Sequence, residues 1–318
     1  MKTDNFFLRI ARIICFVICI CLPCVSNAQA GFTANWWDNN RLTAKGFGLP
    51  PEKFIDNPYQ AKLMARRAAL MDAYRLLAEQ AKEIHITATK TIGSEIEAGS
   101  IKKGKIDAVI KGAELLSVEY GEDNTCTVIV SVPIYGVKDS LSKVVFKPEG
   151  KKNFPLPNRY KISTGNYTGL IIDCGDSDLK PVLSPVIRNE NNQFVYSYSN
   201  LDYEKVLSRG MVGYVKKESV ANNPLLIPNK TGKYMPLSYT KIIENKLLLV
   251  TSANVNNNAS RAGNNPLIIK ATGMSDDNSC PIISAEDSDR ILAENQISHF
   301  LDDGAVIFTG YRVGGVRA

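Results

Sequence analysis

A run of 25 residues, Tyr59–Glu83, contains neither glycine nor proline and consists largely of strong helix formers. Asn57 is a favourable N-cap before this run, and Pro58 takes the first helical position, where proline is tolerated. The run predicts one long helix around which a domain must pack. It offers an apolar stripe and a small-residue face that would let a sheet or another helix approach closely. The two faces are Leu63, Leu70, Tyr74, Leu77 and Ala81, and Ala61, Ala65, Ala68 and Ala69.

The residues around this helix predict a small sheet. The segment 31–55 is rich in glycine and proline and indicates an extended leading segment that contains Trp36 and Trp37. Periodicity and turn clusters then predict a strand, a short helix and a hairpin. These are Ile84–Thr89, a helix that contains Ile101, Ile106, Val109 and Ile110, and the strands Glu114–Tyr120 and Thr125–Val132. Residues 31–146 are therefore expected to form an α+β domain with helices on a small sheet.

A second domain is predicted after a linker. Residues 147–158 are rich in lysine, proline and glycine and indicate a domain boundary. Residues 159–318 alternate strand and helix patterns and predict a mixed α/β domain, with no Rossmann or P-loop fingerprint. The predicted strands are Tyr167–Cys174, Val182–Ile187, Gln193–Tyr198, Met211–Val215, Lys246–Val250, Pro266–Ala271 and Ala305–Thr309. The predicted helices are Tyr203–Arg209, ending at Gly210, and one capped by Ser284 with Ile291, Leu292, Ile297, Phe300 and Leu301 facing inward.

The N-terminus carries the features of an export signal. A cationic start is followed by Ile13–Val25, which is 13 residues long and carries no charge. This run is shorter than the roughly 20 residues that span a bilayer, although an uncleaved anchor is the alternative. Small residues predict cleavage after Ala28 or Ala30, so residues 1–28 are expected to be a signal peptide. Pro23 next to Cys24 argues against lipid attachment there.

Charge and cysteine content narrow the function classes. The formal net charge is +6, of which the leader contributes +2, and both signs are scattered along the chain. This pattern argues against nucleic-acid binding but allows a weak attraction to anionic lipid or acidic polymer. Short basic patches at residues 102–105 and 216–217 are interpreted as solvated faces. Cys126, Cys174 and Cys280 remain after cleavage, and either a Cys174–Cys280 bridge or three buried thiols would fit.

The sequence contains no evident reaction centre. Its only histidines are His85 and His299, and Cys174 with His299 is the best nucleophile–base pair that it offers. Cys174 ends an apolar strand, so packing is the preferred interpretation of this residue. We therefore expect no enzyme, no cofactor and no metal site. A candidate ligand loop follows that strand at Asp173, Asp176 and Asp178, which could hold a small ligand or a divalent cation, although a solvated turn is the simpler interpretation.

Part of the first domain resembles a known family. The residues that carry the resemblance are Gly46–Pro50, the Gln60–Leu77 helix, Lys111–Glu114 and the Val128–Pro133 strand. Together they resemble the N-terminal domain of the flagellar assembly protein FlgT and the related LPP-twenty envelope lipoproteins, over residues 36–145. The resemblance implies an envelope location and structural or binding work, around a flagellar basal body for example. Unlike the lipoproteins of that family, this chain lacks a well-placed lipidated cysteine.

Taken together, these features predict an exported, non-catalytic protein of the periplasm or cell envelope that binds a protein partner. Peripheral association with a membrane is compatible with this interpretation. The alternative is a periplasmic binder of a small ligand or cation, or an enzyme, that uses the loop Asp173–Asp178. The sequence identifies neither the partner nor the oligomeric state.

Overall fold

The computed structural model describes residues 36–54, 56–159, 162–175, 177–216 and 261–311. It confirms the predicted fold class, a mixed arrangement of helices and sheets. The N-terminal unit, residues 36–146, has its elements in this order: α1 Trp36–Asn39, β1 Arg41–Gly48, a 3₁₀ turn Glu52–Phe54, α2 Pro58–Glu83, α3 Ile92–Glu97, α4 Lys103–Lys111, β2 Glu114–Tyr120, β3 Cys126–Pro133 and α5 Leu141–Val145. No helix in the described ranges is long and apolar enough to cross a bilayer.

The predicted long helix forms, with the N-cap that the sequence indicates. The Asn57 side chain accepts a hydrogen bond from the Gln60 backbone N–H at 3.2 Å, which satisfies one of the free donors of the first turn. The helix lies across an antiparallel sheet with the strand order β1-β3-β2. The short second helix and the hairpin of the prediction are also confirmed, as α4 and as β2 with β3.

The helix buries most of its predicted small-residue face, although Ala68 is exposed, and the predicted apolar stripe is only partly buried. The inward side chains are Ala61, Ala65, Ala69, Ala73, Leu77 and Ala81, whereas Leu63 is 64% exposed. The reason is the facing strand: a methyl group on Gly46 would collide with the Ala69 carbonyl, and one on Gly48 with the Ala65 carbonyl. Only small side chains on both elements permit this close approach of the two backbones.

Two strand predictions in this unit are wrong. The glycine-rich leading segment contains an eight-residue strand, β1, which pairs along its whole length with β3. Conversely, Ile84–Thr89 forms no strand and contributes only an isolated bridge between His85 and Thr91. Its backbone pairs elsewhere, because the His85 carbonyl accepts from Leu183 N–H at 2.9 Å and the Ile86 carbonyl from Ser184 N–H at 2.8 Å.

The described residues of the C-terminal unit, residues 162–311, form two four-stranded sheets. Its elements are β4 Gly169–Asp173, β5 Ile187–Asn189, β6 Phe194–Tyr196, a 3₁₀ turn Tyr198–Asn200, α6 Tyr203–Arg209, β7 Gly213–Lys216, β8 Pro266–Lys270, β9 Gly273–Met274, β10 Pro281–Ile283, α7 Ala285–Ser298 and β11 Val306–Tyr311. One sheet is parallel throughout, with the order β7-β11-β4-β8, and the other is mixed, with the order β6-β5-β10-β9. Both predicted helices form, while the predicted strand Lys246–Val250 lies outside the described residues. The predicted strand Val182–Ile187 is wrong: only Ile187 belongs to a strand, β5, because the backbone of Leu183 and Ser184 pairs with His85 and Ile86 instead.

Helix α7 turns buried polar side chains inward beside its apolar ones. Ser284 caps it as predicted, by accepting from Asp287 N–H at 3.0 Å. Ile291 and Leu292 are buried on the helix as predicted, whereas Ile297 is 59% exposed. Phe300 and Leu301 are buried but lie beyond the end of the helix at Ser298. Asp289, Glu294 and Asn295 are buried instead, and each forms hydrogen bonds. Asp289 and Glu294 bond to residues about 130 positions away in the sequence, and Asn295 bonds to Leu301 and Asp302 just beyond the helix, so a count of apolar residues does not predict their burial.

The two units share one continuous hydrophobic core. The two units therefore belong to a single compact body, which includes all the described residues. The Tyr135 ring lies against Gly210, and the Gly136 N–H donates to the Leu207 carbonyl at 2.6 Å. The predicted linker, residues 147–158, forms neither helix nor strand and is held by the C-terminal unit, for example through Lys152 N–H and the Ser199 carbonyl at 2.7 Å.

Candidate functional site

The predicted ligand loop follows β4 at the carboxyl end of the parallel sheet. The Asp173 carboxylate accepts a hydrogen bond from the Gly175 N–H at 2.9 Å, which stabilises the turn, and Asp178 is exposed to solvent. Asp176 lies outside the described residues. Within the described ranges, no three His, Cys, Asp or Glu side chains are placed to hold a metal ion. The structure therefore gives Asp173 a turn-forming contact, and a ligand at this loop stays a hypothesis.

The cysteines and histidines of the sequence prediction lie in separate environments. Cys126, Cys174 and Cys280 are all free thiols, so the Cys174–Cys280 bridge is not formed. Burial, followed by the charge of Asp173, raises the pKa of Cys174 to about 12, which keeps the sulfur protonated at neutral pH. The His299 side chain is 66% exposed, and its Nδ1 lies 3.7 Å from Asp302.

A groove of about 720 Å³, lined mainly by residues of the N-terminal unit, brings several lysines together. Three segments build it: the start of α4, the loop between β3 and α5, and the stretch from α5 to residue 148. Tyr203 of α6 contributes from the C-terminal unit. Five lysines line the groove together with a single carboxylate, Asp139; they are Lys102, Lys105, Lys138, Lys143 and Lys147.

The loop that carries Lys138 is fixed from both sides. Before the loop, Gly136 donates its N–H to the Leu207 carbonyl of α6. After it, the Ser140 hydroxyl donates to the Gly136 carbonyl at 2.5 Å and accepts from the Lys143 N–H at 3.3 Å. Ser140 thereby closes the loop and caps α5 at once, which sets the positions of two groove lysines.

The floor of the groove is apolar. Ile101, Val109 and Phe146 are buried beneath it, and Val137 is 44% exposed at its edge. The Phe146 ring packs on the Tyr198 ring, with the centroids 4.9 Å apart, so that the C-terminal unit supports the floor. The groove thus combines a fixed apolar base with a charged rim, an arrangement common in ligand sites.

The rim lysines lack carboxylate partners in the described part of the chain. All five are exposed, and none lies within 4.0 Å of a described carboxylate. The charge of Lys147 reaches Glu95, whose pKa is lowered first by its hydrogen bond with Lys90 and most weakly by Lys147. In addition, no side chain caps the first turn of α4, which begins at Lys103. Lysine charge and free helix N–H groups both favour an anion here.

Sequence reasoning recognised only part of this groove. The cluster at residues 102–105 was visible but had the simpler interpretation of a solvated face. Lys138, Lys143 and Lys147 are scattered along the chain, and they join the cluster only because α5 folds back beside α4. The spacing of lysines in the sequence contains no signal for that packing.

Comparison with known proteins identifies one related sequence family. The family described as Treponema pallidum Tp0624, second domain, matches residues 169–309. This match runs from the first residue of β4 into β11 and covers less than half of the chain. No curated protein matches the chain. The likeness concerns the C-terminal unit alone, so the resemblance of residues 36–145 to FlgT and the LPP-twenty proteins stays a prediction.

Proposed function

We propose that this chain is an exported cell-envelope protein that binds a protein partner through the lysine-lined groove and performs a structural or assembly role. The observation that carries the proposal is the set of five exposed lysines, none of them paired with a described carboxylate, around a fixed apolar floor. Such a surface leaves charge and apolar area available to a second molecule.

Two further features support the envelope setting. The charge-free run Ile13–Val25 behind a cationic start has the pattern of a cleaved export signal. The resemblance of residues 36–145 to FlgT and the LPP-twenty proteins points in the same direction. It makes the flagellar basal body the first place to search for the partner.

The proposal is tested by fractionation and crosslinking in cells. The wild type is compared with a groove variant, Lys105→Gln/Lys138→Gln/Lys143→Gln, and with a control, Lys45→Gln/Lys111→Gln/Lys180→Gln. Both variants lose three exposed positive charges, but the control changes none of the groove-lining residues. Glutamine matches lysine closely in helix propensity, which keeps the folding of α4 and α5 comparable.

We expect all three proteins in the envelope fraction, each beginning after Ala28 or Ala30. A defined crosslinked protein should be recovered with the wild type and the control, and lost with the groove variant. A chain that begins at Met1 and stays in the cytosol would overturn the export part. Equal recovery with the groove variant would overturn the role of the groove.

A further inference from the structure

We infer that the groove binds an extended acidic segment of a partner protein, with an apolar side chain of that segment seated on the floor between the lysines. This inference rests on the proposed function and adds to it the chemical class of the occupant. It follows from the kind of cation, the distribution of the cations over separate segments and the burial of the floor.

The cations are lysines that belong to separate segments. Lys102 and Lys105 come from the start of α4, Lys138 from a loop, and Lys143 and Lys147 from α5 and beyond. No arginine lines the groove, so its described lining offers point charges and lacks the planar, two-pronged contact that fixes a single carboxylate or phosphate group. Point charges distributed along a groove match carboxylates distributed along a peptide.

The shape favours a chain over a flat surface. The floor residues Ile101 and Phe146 are only 5% and 6% exposed, so a planar bilayer that rests on the lysine rim would not reach them. A leucine or a similar side chain on a peptide can enter and displace water from the apolar base. Val137, at the edge of the groove, is exposed enough to contact such a side chain directly.

The direct test uses the purified full-length exported protein and defined probes. The first probe is a short peptide of alternating glutamate and glycine with one central leucine, and the second carries serine in place of that leucine. Inorganic phosphate and vesicles of phosphatidylglycerol are the competing anions. Dissociation constants are measured at low and at physiological ionic strength, because binding between exposed charges weakens as salt is added.

We expect the leucine peptide to bind most tightly and to weaken with added salt. The groove variant Lys105→Gln/Lys138→Gln/Lys143→Gln should bind it about tenfold more weakly, while the control Lys45→Gln/Lys111→Gln/Lys180→Gln should not differ from the wild type. Val137→Ser should weaken binding of the leucine peptide but not that of the serine peptide. This double-mutant cycle isolates the apolar contact from the charges.

The other outcomes overturn either the acidic segment as the occupant of the groove or the proposed function. Equal binding of the leucine peptide by groove and control variants would place its site elsewhere. Phosphate or vesicles that bind more tightly than the peptide, with loss only in the groove variant, would make the occupant a phosphate group or a lipid surface. If crosslinking of the partner is lost in the groove variant but neither peptide binds, the occupant is not an acidic segment of this kind, and the proposed function stands. If the peptide binds but the crosslinked partner is indifferent to the groove lysines, the proposed function fails.

Discussion

Buried polar side chains on α7 hold the segment that precedes the parallel sheet. Glu294 is only 3% exposed, yet its carboxylate accepts hydrogen bonds from the Ser163 hydroxyl at 2.7 Å, the Thr164 N–H at 2.9 Å and the Gly165 N–H at 3.1 Å. Burial raises the pKa of this carboxyl, but the bonds from Ser163, Gly165 and Thr164 together outweigh burial and lower the pKa below its ordinary value of 4.5. Glu294 therefore stabilises the fold in its ionised form.

Replacing this carboxylate should destabilise the protein in a pH-dependent way. We expect Glu294→Gln to lower the free energy of unfolding at pH 7 by about 2 kcal/mol, since hydrogen bonds to a buried charge are lost. The pKa of Glu294 is lower in the folded than in the unfolded protein, so its ionised carboxylate stabilises the fold fully at a pH above the unfolded-state pKa. That stabilisation is lost as the pH falls through the folded-state pKa. Urea unfolding of wild type and variant at pH 7 and at acidic pH measures the difference, which should shrink on acidification.

The matched control for this prediction is Glu119→Gln. Glu119 lies on β2, is exposed, and has no side-chain hydrogen bond or ion pair in the described structure. Its replacement should change the free energy of unfolding by less than about 0.5 kcal/mol at either pH. A Glu294→Gln variant that behaves like this control would show that the carboxylate contributes nothing beyond its shape.

The contact between β1 and α2 depends on the absence of side chains. Gly46 and Gly48 both face the helix. Gly46 lies against the Ala69 carbonyl, and Gly48 lies against the Ala65 carbonyl. The atoms that a new methyl group would meet belong to the helix backbone, which cannot move aside without shifting the whole element. The close packing of helix on sheet is therefore a property of this pair of elements.

A single methyl group at this contact should be costly. We expect Gly46→Ala to lower the free energy of unfolding by about 3 kcal/mol, through overpacking against Ala69 and Ala73. The control Gly104→Ala adds the same methyl group near the start of α4, where no atom lies within 4 Å. That variant should be neutral or gain up to about 1 kcal/mol in helix propensity. Denaturant unfolding compares the two, and equal effects would contradict the packing argument.

The whole molecule is held together by contacts that cross between its two units. The backbone of His85 and Ile86 pairs with Leu183 and Ser184, and a common core continues from one unit into the other. Arg261, which is half-buried, reinforces the C-terminal side by donating hydrogen bonds to the carbonyls of Arg209, Gly210 and Gly304. Units that share a core in this way are expected to unfold together.

Cooperative unfolding of this kind is testable by native-state hydrogen exchange. We expect Glu294→Gln, in the C-terminal unit, to reduce amide protection in β3 by the same factor as in β4. Gly46→Ala, in the N-terminal unit, should likewise reduce protection in β4 as much as in β3. Both effects follow if the slowest amides exchange only through global unfolding. A loss confined to the unit that carries the mutation would show that the units unfold separately.

Local sequence determined several of the helices, although α1, α3 and α5 were not predicted. Asn57, Ser284 and Gly210 act on neighbouring backbone groups, and the runs between such signals favour helix by composition, so α2, α6 and α7 could be placed in advance. The hairpin of β2 and β3 was equally clear, because its turn residues lie between its two strands. The predicted export signal is also read from the charge and length of residues 1–30 alone, and it stays a prediction.

Tertiary structure decided what depended on distant partners. β1 is a strand because β3 offers it a full set of hydrogen bonds, and its glycines, which disfavour a strand locally, suit the alanine face of α2. The groove exists for the same reason: Lys143 and Lys105 are distant in the chain and meet only when α5 packs beside α4. Sequence composition determined how many lysines the protein has, whereas long-range packing decided which of them surround an apolar floor, because that arrangement depends on contacts between segments that no local pattern encodes.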